Sequence, residues 1–411
     1  MMMKHTILSI LFAVALPFTA SAQLFRPLGL DTDRCKRVGP YSQPRMHIEG
    51  DKLYVCTSQG LYAKDLNDKE SAWQLAGFEG IPLQDYARRG SDILALRFNK
   101  GGGYLLLSHD GGQTYEDVTP DIFCQEEFEA LPCLVQHPTD PNTLLVASVN
   151  KGIFRSKDFG QTWEQIADFF VGNSGSSIVG FHPARPDIIY NSGETFFLSG
   201  HIAISYDNGK TWNHYDTSGQ KDKDKWLGFS GDNCVHRPAF HPTNPDRWIA
   251  GGEGCVFLSD NNGQTWSCLN YWSDEPHSAY WYFTAFDDEH PDTVYMAGHL
   301  TANKGMGLNA RVKIMCSTNG GRSWYESQVM ESKMEYEFVN DLLQYHDRLM
   351  IYTESGVYEV SKAELIARST NAIRSVTKDD PNAPIYDLQG RRITTEPRHG
   401  LFIKNGQKTV K

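Results

Sequence analysis

The sequence predicts an all-β chain folded as a single seven-bladed β-propeller with a short C-terminal β tail, and three observations predict it. Five short segments of one pattern recur at blade-sized intervals, and a histidine–proline pattern recurs upstream of four of them. The composition, rich in aromatics and with 36 Gly and 19 Pro among 411 residues, suits many short strands joined by tight turns. Six blades is the alternative count, because both ends lack the first pattern.

The five segments are SHDGGQTY at 108–115, SKDFGQTW at 156–163, SYDNGKTW at 205–212, SDNNGQTW at 259–266 and STNGGRSW at 317–324, with starts 48, 49, 54 and 58 residues apart. That spacing fits one four-stranded blade plus loops. Each segment follows an alternating strand such as Cys255-Val256-Phe257-Leu258, so the chain reverses within it. Glycine at the fifth position (Gly112, Gly160, Gly209, Gly263, Gly321) suits positive φ. The third position, Asp110, Asp158, Asp207, Asn261 or Asn319, can accept hydrogen bonds from turn amides. Since asparagine replaces aspartate in two copies, the position is structural: general acid–base work would not survive that exchange. The closing aromatic (Tyr115, Trp163, Trp212, Trp266, Trp324) is large enough to fill the space between sheets. His137, His182, His241 and His290 precede prolines at equivalent places and read as turn residues. Degenerate blades around 53–66 and 349–360 complete seven blades within 44–361, and closing them into a ring protects the sheet edges that an open array would expose.

At the N-terminus, Lys4, an apolar run from Ile7 to Phe18 and small residues Ala20 to Ala22 predict a signal peptide over 1–22 and an exported protein in periplasm, cell surface or medium. Residues 23–43 read as an N-terminal extension and 362–384 as a linker. Residues 385–411 form a tail of short strands with a tight turn at Asn405-Gly406. No stretch is long and apolar enough to span a bilayer as a helix. The net charge is −11 although residues 361–411 carry ten Lys and Arg against five Asp and Glu, so the propeller itself is strongly acidic and nucleic acid is excluded as a partner. The eight cysteines permit disulfides in an exported chain, with Cys255–Cys268 and then Cys124–Cys133 as the candidate pairs and buried thiols as the alternative. No metal-ligand spacing occurs, no cofactor is expected, and a monomer is the expected state.

The five segments resemble the Asp-box, or bacterial neuraminidase repeat, of a propeller superfamily shared by sialidases, two-propeller xyloglucanases, sortilin-type receptors and photosystem assembly factors. The paired histidine–proline and box pattern looks closest to the xyloglucanase and sortilin branches, and in this superfamily the box is a peripheral folding device. Phe25-Arg26-Pro27-Leu28 is similar to a sialidase F/Y-R-I-P segment but lacks the isoleucine. The tail resembles C-terminal sorting segments of exported Bacteroidetes proteins.

Loop lengths vary on one side. In each blade the connections from strand four to the next strand one, and from strand two to strand three, lie opposite the repeated hairpins, and they hold the long segments 119–133, 192–201, 215–237, 270–282 and 298–311. Aromatics beside charged groups there suit sugar rings: Trp226, Arg237, Tyr271, Trp272, His299 and Arg311 are the ligand-binding candidates. If the chain hydrolyses glycosides it needs two carboxyls flanking the bond, for which Glu194, Asp232 and Glu275 are the catalytic candidates. The expected function is an exported glycan-binding propeller, with glycoside hydrolysis as its enzymatic form. The alternative is a non-enzymatic scaffold for an envelope protein.

Overall fold

Strand-forming runs separated by glycine-bearing turns fold locally here, so each repeat becomes one antiparallel four-stranded sheet. A computed structural model describes residues 23–37, 43–99, 102–123, 131, 133–148, 151–169, 178–195, 199–216, 235–252, 255–271, 278–301, 311–327, 329–330, 332, 334, 337–372, 385–386, 392–393, 401–404 and 407–410. Seven such sheets form a ring, the seven-bladed propeller that the repeats predict. Their innermost strands are Met46–Glu49, Leu83–Arg89, Cys133–Gln136, Ile178–His182, Ala239–Phe240, Ser278–Phe286 and Val339–Tyr345. Seven apolar clusters lie one at each junction between neighbouring sheets, including the junction of the seventh with the first, where Leu53 and Val55 meet Met350 and Tyr352.

The ring closes with chain from both ends. Val339–Tyr345, Arg348–Thr353 and Gly356–Ser361 supply three strands of the seventh sheet, and the fourth is Arg26–Pro27, paired as Arg26 with Glu359 and Pro27 with Tyr358. The expected N-terminal extension therefore contributes a blade strand, because the seventh sheet would otherwise end on an unpaired edge. Leu24 and Phe25, 4 % and 3 % exposed, enter the apolar cluster between the sixth and seventh blades. The expected linker also begins differently, as a helix over Lys362–Ala372. Burial of Leu365 in the same cluster and a 2.7 Å ion pair from Arg26 to Glu364 dock it, contacts that outweigh the Ser, Thr and Asn of its second half. In the tail, Leu401–Lys404 pairs with Gln407–Val410 so that Lys404 meets Gln407, leaving two residues between them.

The five repeated hairpins are built alike. In SKDFGQTW the Ser156 hydroxyl donates to Asp158 Oδ1 at 2.8 Å and accepts from the Gly160 amide at 2.8 Å, while the Thr162 amide and hydroxyl donate to the two Asp158 oxygens at 2.8 and 2.6 Å. Gly160 has φ +89°, and a Cβ there would stand 2.6 Å from Leu94, so both backbone and neighbour require glycine. In the asparagine copies the side-chain oxygen keeps the amide bond and the nitrogen donates instead, Asn261 Nδ2 to Thr265 Oγ1 at 2.9 Å. The hydroxyl and amide of Thr114 hold Asp110 at about 2, and those of Thr211 do the same for Asp207, so these carboxylates are fixed anions. The expected result is that Asp158→Asn unfolds in urea within about 0.5 kcal/mol of the parent, whereas Asp158→Ala loses about 1–2 kcal/mol. Equal losses for the two would contradict the structural role. The repeated histidines cap turns as well: His137 Nδ1 accepts from the amides of Thr139 and Asp140 at 3.2 and 3.0 Å, and His241 does the same for Thr243 and Asn244.

The described cysteines follow the alternative of buried thiols rather than the candidate pairs. A register shift between Val256 and Phe257 leaves Cys255 opposite Tyr271 and Cys268 opposite Phe257, so the bulge takes the first candidate pair out of alignment, and a disulfide requires Cα atoms within about 7 Å. Cys133 is a buried free thiol whose sulfur accepts from the Val179 amide at 3.3 Å; Cys124, its candidate partner, lies outside the described residues.

Candidate functional site

Seven inner strands converging on one axis turn alternate side chains into a central channel. At its waist stand Arg45, Asp85, Arg237 and Asp341. Two bulges aim the acids: the register shifts between Leu83 and Asp85 and between Val339 and Asp341, which leaves Gln84 and Asn340 as extra residues. Asp85 Oδ1 then accepts from the next amide, Tyr86, at 2.8 Å. Asp341 accepts from Leu342 at 2.9 Å and, across the ring closure, from Met46 at 2.9 Å. Arg45, 4 % exposed, lies 3.9 Å from Asp341, and burial pulls its pKa below the usual arginine value. Burial opposes the charge on Arg237 too, but the Tyr190 hydroxyl and the carboxylates of Asp341 and Asp85 outweigh it and hold the guanidinium above its usual value.

From the waist a cavity of about 640 Å³ runs along the inner strands. His47, Glu49, Asp85, Tyr86, Arg88, Gln136, Arg237 and Gln344 give it a polar wall, and Met46, Ile48, Leu134 and Leu343 the apolar part. It extends to Gly90 in the turn leaving the second inner strand, the side on which the repeated hairpins lie, opposite the side where loop length varies. Its polar groups are already oriented. His47 Nε2 meets Asp85 Oδ1 at 2.6 Å, Glu49 accepts from the Tyr86 hydroxyl at 2.6 Å and from Arg88 Nε at 3.0 Å, and Arg88 lies over the Tyr54 ring at 4.9 Å. Burial and then the neighbouring Glu49 raise the Tyr86 pKa, so the phenol stays protonated. Among the described residues, the carboxylates that line the cavity, Glu49 and Asp85, are both bonded within the wall, which holds them in place.

On the long-loop side, Arg37 reaches over the channel wall. Its Nε donates to Asn340 Oδ1 at 3.0 Å and pairs with Glu354 Oε1 at 3.1 Å, and its guanidinium lies over Phe338 at 4.7 Å. Beside it, His299 is buried and its ring lies near-parallel to those of Tyr280 and Tyr282, 5.1 Å from each.

Of the ligand-binding candidates, Arg237 lines the cavity, His299 is buried against Tyr280 and Tyr282, and Arg311 stands at the start of its strand, with Nη1 donating to the Met334 carbonyl at 3.3 Å. Trp226, Trp272, Asp232 and Glu275 lie outside the described residues, as do the side chains of Glu194 and Tyr271, whose backbones end strands Arg185–Thr195 and Ser267–Tyr271. Trp281, an aromatic of the same long segments, is 1 % exposed and fills the core between the fifth and sixth blades. Sequence reasoning missed Arg45, His47, Asp85 and Asp341. The available signal was a charge set within an otherwise uncharged first-strand run, as in Leu83 to Ala87.

Solved structures with the same architecture include the GH74 xyloglucanase of Xanthomonas campestris, at TM-score 0.57 and 15 % identity over 82 % of this chain and 53 % of that one. The chain is a β-propeller of their fold. The Niastella koreensis GH74 enzyme matches this propeller at TM-score 0.55 and 16 % identity over 82 % and 53 % of the two chains. YCF48 of Cyanidioschyzon merolae matches it at 0.54 and 10 % over 83 % and 99 %. The propeller spans about half the length of the two GH74 enzymes. No family model and no curated protein matches it.

Proposed function

We propose that this chain is an exported carbohydrate-binding propeller that holds a neutral, hydroxyl-rich stretch of glycan in its axial channel. The observation that supports this reading is the polar cavity of about 640 Å³ at the axis, within the roughly 300–1,000 Å³ range of small-molecule sites. Its wall mixes donors and acceptors of both charges, each fixed by a neighbour, on the Tyr54–Arg88–Tyr86 stack. Fixed dipoles of both signs suit hydroxyls, which donate and accept; a strongly charged ligand would meet one wrong partner for each right one.

A glycan array with reducing-sugar assays on the purified protein tests this. Binding of a neutral glycan that weakens at least about tenfold in Arg237→Met, in protein whose folded state is checked by circular dichroism, is expected; no retention across plant, host and bacterial glycans would overturn it. If sugars are released, Glu194, Asp232 and Glu275 are the first residues to substitute. A scaffold for an envelope protein is the second reading, since the same fixed donors and acceptors suit a peptide backbone. One partner recovered from envelope extracts, with an empty glycan screen, would install it.

A further inference from the structure

Two buried histidines on the long-loop side leave three of their four ring nitrogens without a hydrogen-bond partner. His236, 1 % exposed, stands three residues before the short inner strand of the fifth blade, and neither ring nitrogen has a hydrogen-bond partner. His299, 2 % exposed, faces Tyr280 across the sixth sheet, and its Nδ1 has none either. The two are joined through aromatics. His236 lies against Tyr282 at 4.1 Å, His299 beside Tyr282 at 5.1 Å, and Phe338 meets His299 edge-on at 4.6 Å. A register shift between Trp281 and Phe283 makes Tyr282 the extra residue of its strand and turns its ring to this contact. Burial drives the His236 pKa to about 3, while burial, Arg37 and His236 drive that of His299 well below its usual value, so both rings are neutral in neutral solution.

A buried polar group left unmatched costs about 1–3 kcal/mol, and natural folds rarely keep three together without a use. We infer that His236 and His299, with the rims of Tyr280 and Tyr282, form a second, enclosed subsite on the long-loop side, for the hydroxyl groups of a neutral glycan. A neutral imidazole carries one donor and one acceptor, and a hydroxyl is the group that answers both. A carboxylate would find half of these atoms wrong, and an ammonium would also meet the Arg37 guanidinium. A metal ion is not favoured, because no group of three potential ligands gathers among the described residues. The ligand class rests on the carbohydrate reading, but the site is separate from the cavity beyond the waist.

The test uses the full mature chain with ¹⁵N-labelled histidine, titrated with D-glucose, cellohexaose and, separately, zinc chloride, while calorimetry follows cellohexaose binding. The His236 and His299 ring signals, assigned with His236→Phe and His299→Gln, are expected to shift saturably with the sugars. His236→Phe is expected to weaken cellohexaose at least tenfold while keeping or raising the melting temperature. Cellohexaose binding with both rings unmoved and His236→Phe unaffected would overturn the subsite in favour of buried water and leave the carbohydrate reading standing. Shifts with zinc alone would overturn it in favour of a metal site. Neither heat nor shift with either sugar would overturn it outright, and the glycan array then decides separately whether the wider reading survives. The wild-type titration serves even if one variant fails to fold.

Discussion

Phe25→Ala is expected to lower the unfolding free energy by about 3–5 kcal/mol, the cost of deleting a buried phenylalanine side chain. Phe25 is 3 % exposed and packs with Leu24, Val312, Ile314 and Leu349 between the sixth and seventh blades, immediately before the strand that completes the last sheet. The loss therefore combines an apolar cavity with a loosened strand: the Leu28 amide donates to the Val357 carbonyl at 2.8 Å, and the Trp73 indole donates to the Leu28 carbonyl at 2.8 Å from the first blade. Urea unfolding measures it, with Leu75→Ala, at a side chain 40 % exposed, as a control expected to stay within about 1 kcal/mol. A Phe25→Ala loss no larger than the control's would mean that the N-terminal segment does not hold the ring shut.

The second large effect is acid sensitivity. In the folded protein His236 titrates near 3 and His299 well below its ordinary value, whereas in the unfolded chain each returns to about 6.5. Between these values the unfolded chain binds the extra protons, so the stability that the neutral rings contribute is complete above pH 6.5 and falls as the pH drops towards the folded values. Each ring contributes a limiting slope of about 1.4 kcal/mol per pH unit, or about 2.8 for the pair. His182 and His241, also lowered by burial, add in the same direction. Unfolding free energies measured from pH 6.5 to 5, above the main carboxylate range, are expected to fall steeply for the parent and by about one proton less for His236→Phe. Parallel slopes for the two would show that His236 is already charged or exposed when folded.

The architecture was legible because each hairpin carries its own physics in eight residues: a serine–acid–threonine set of hydrogen bonds and a glycine at positive φ specify one turn wherever they occur. Ring closure was not legible, since a strand of two residues, Arg26–Pro27, leaves no periodicity to read and owes its place to a partner more than 300 positions away. The waist charges escaped for a related reason. Asp85 and Asp341 sit one step beyond the extra residues Gln84 and Asn340, and a bulge resets the two-residue alternation that assigns side chains to faces. Arg237 and His299 are candidates because aromatic and charged residues gather in the long segments, yet the cavity that Arg237 lines runs towards the hairpin side. Loop length marks where sequence is free to vary, and at the axis it is the inner strands that supply the wall.

An experimental structure of the protein soaked with cellohexaose tests the axial site most directly. Sugar density is expected inside the channel, in contact with Arg237 on one side of the waist or with His236 and His299 on the other. Density confined to the outer faces of the blades, or a channel holding only water at saturating cellohexaose, would contradict it.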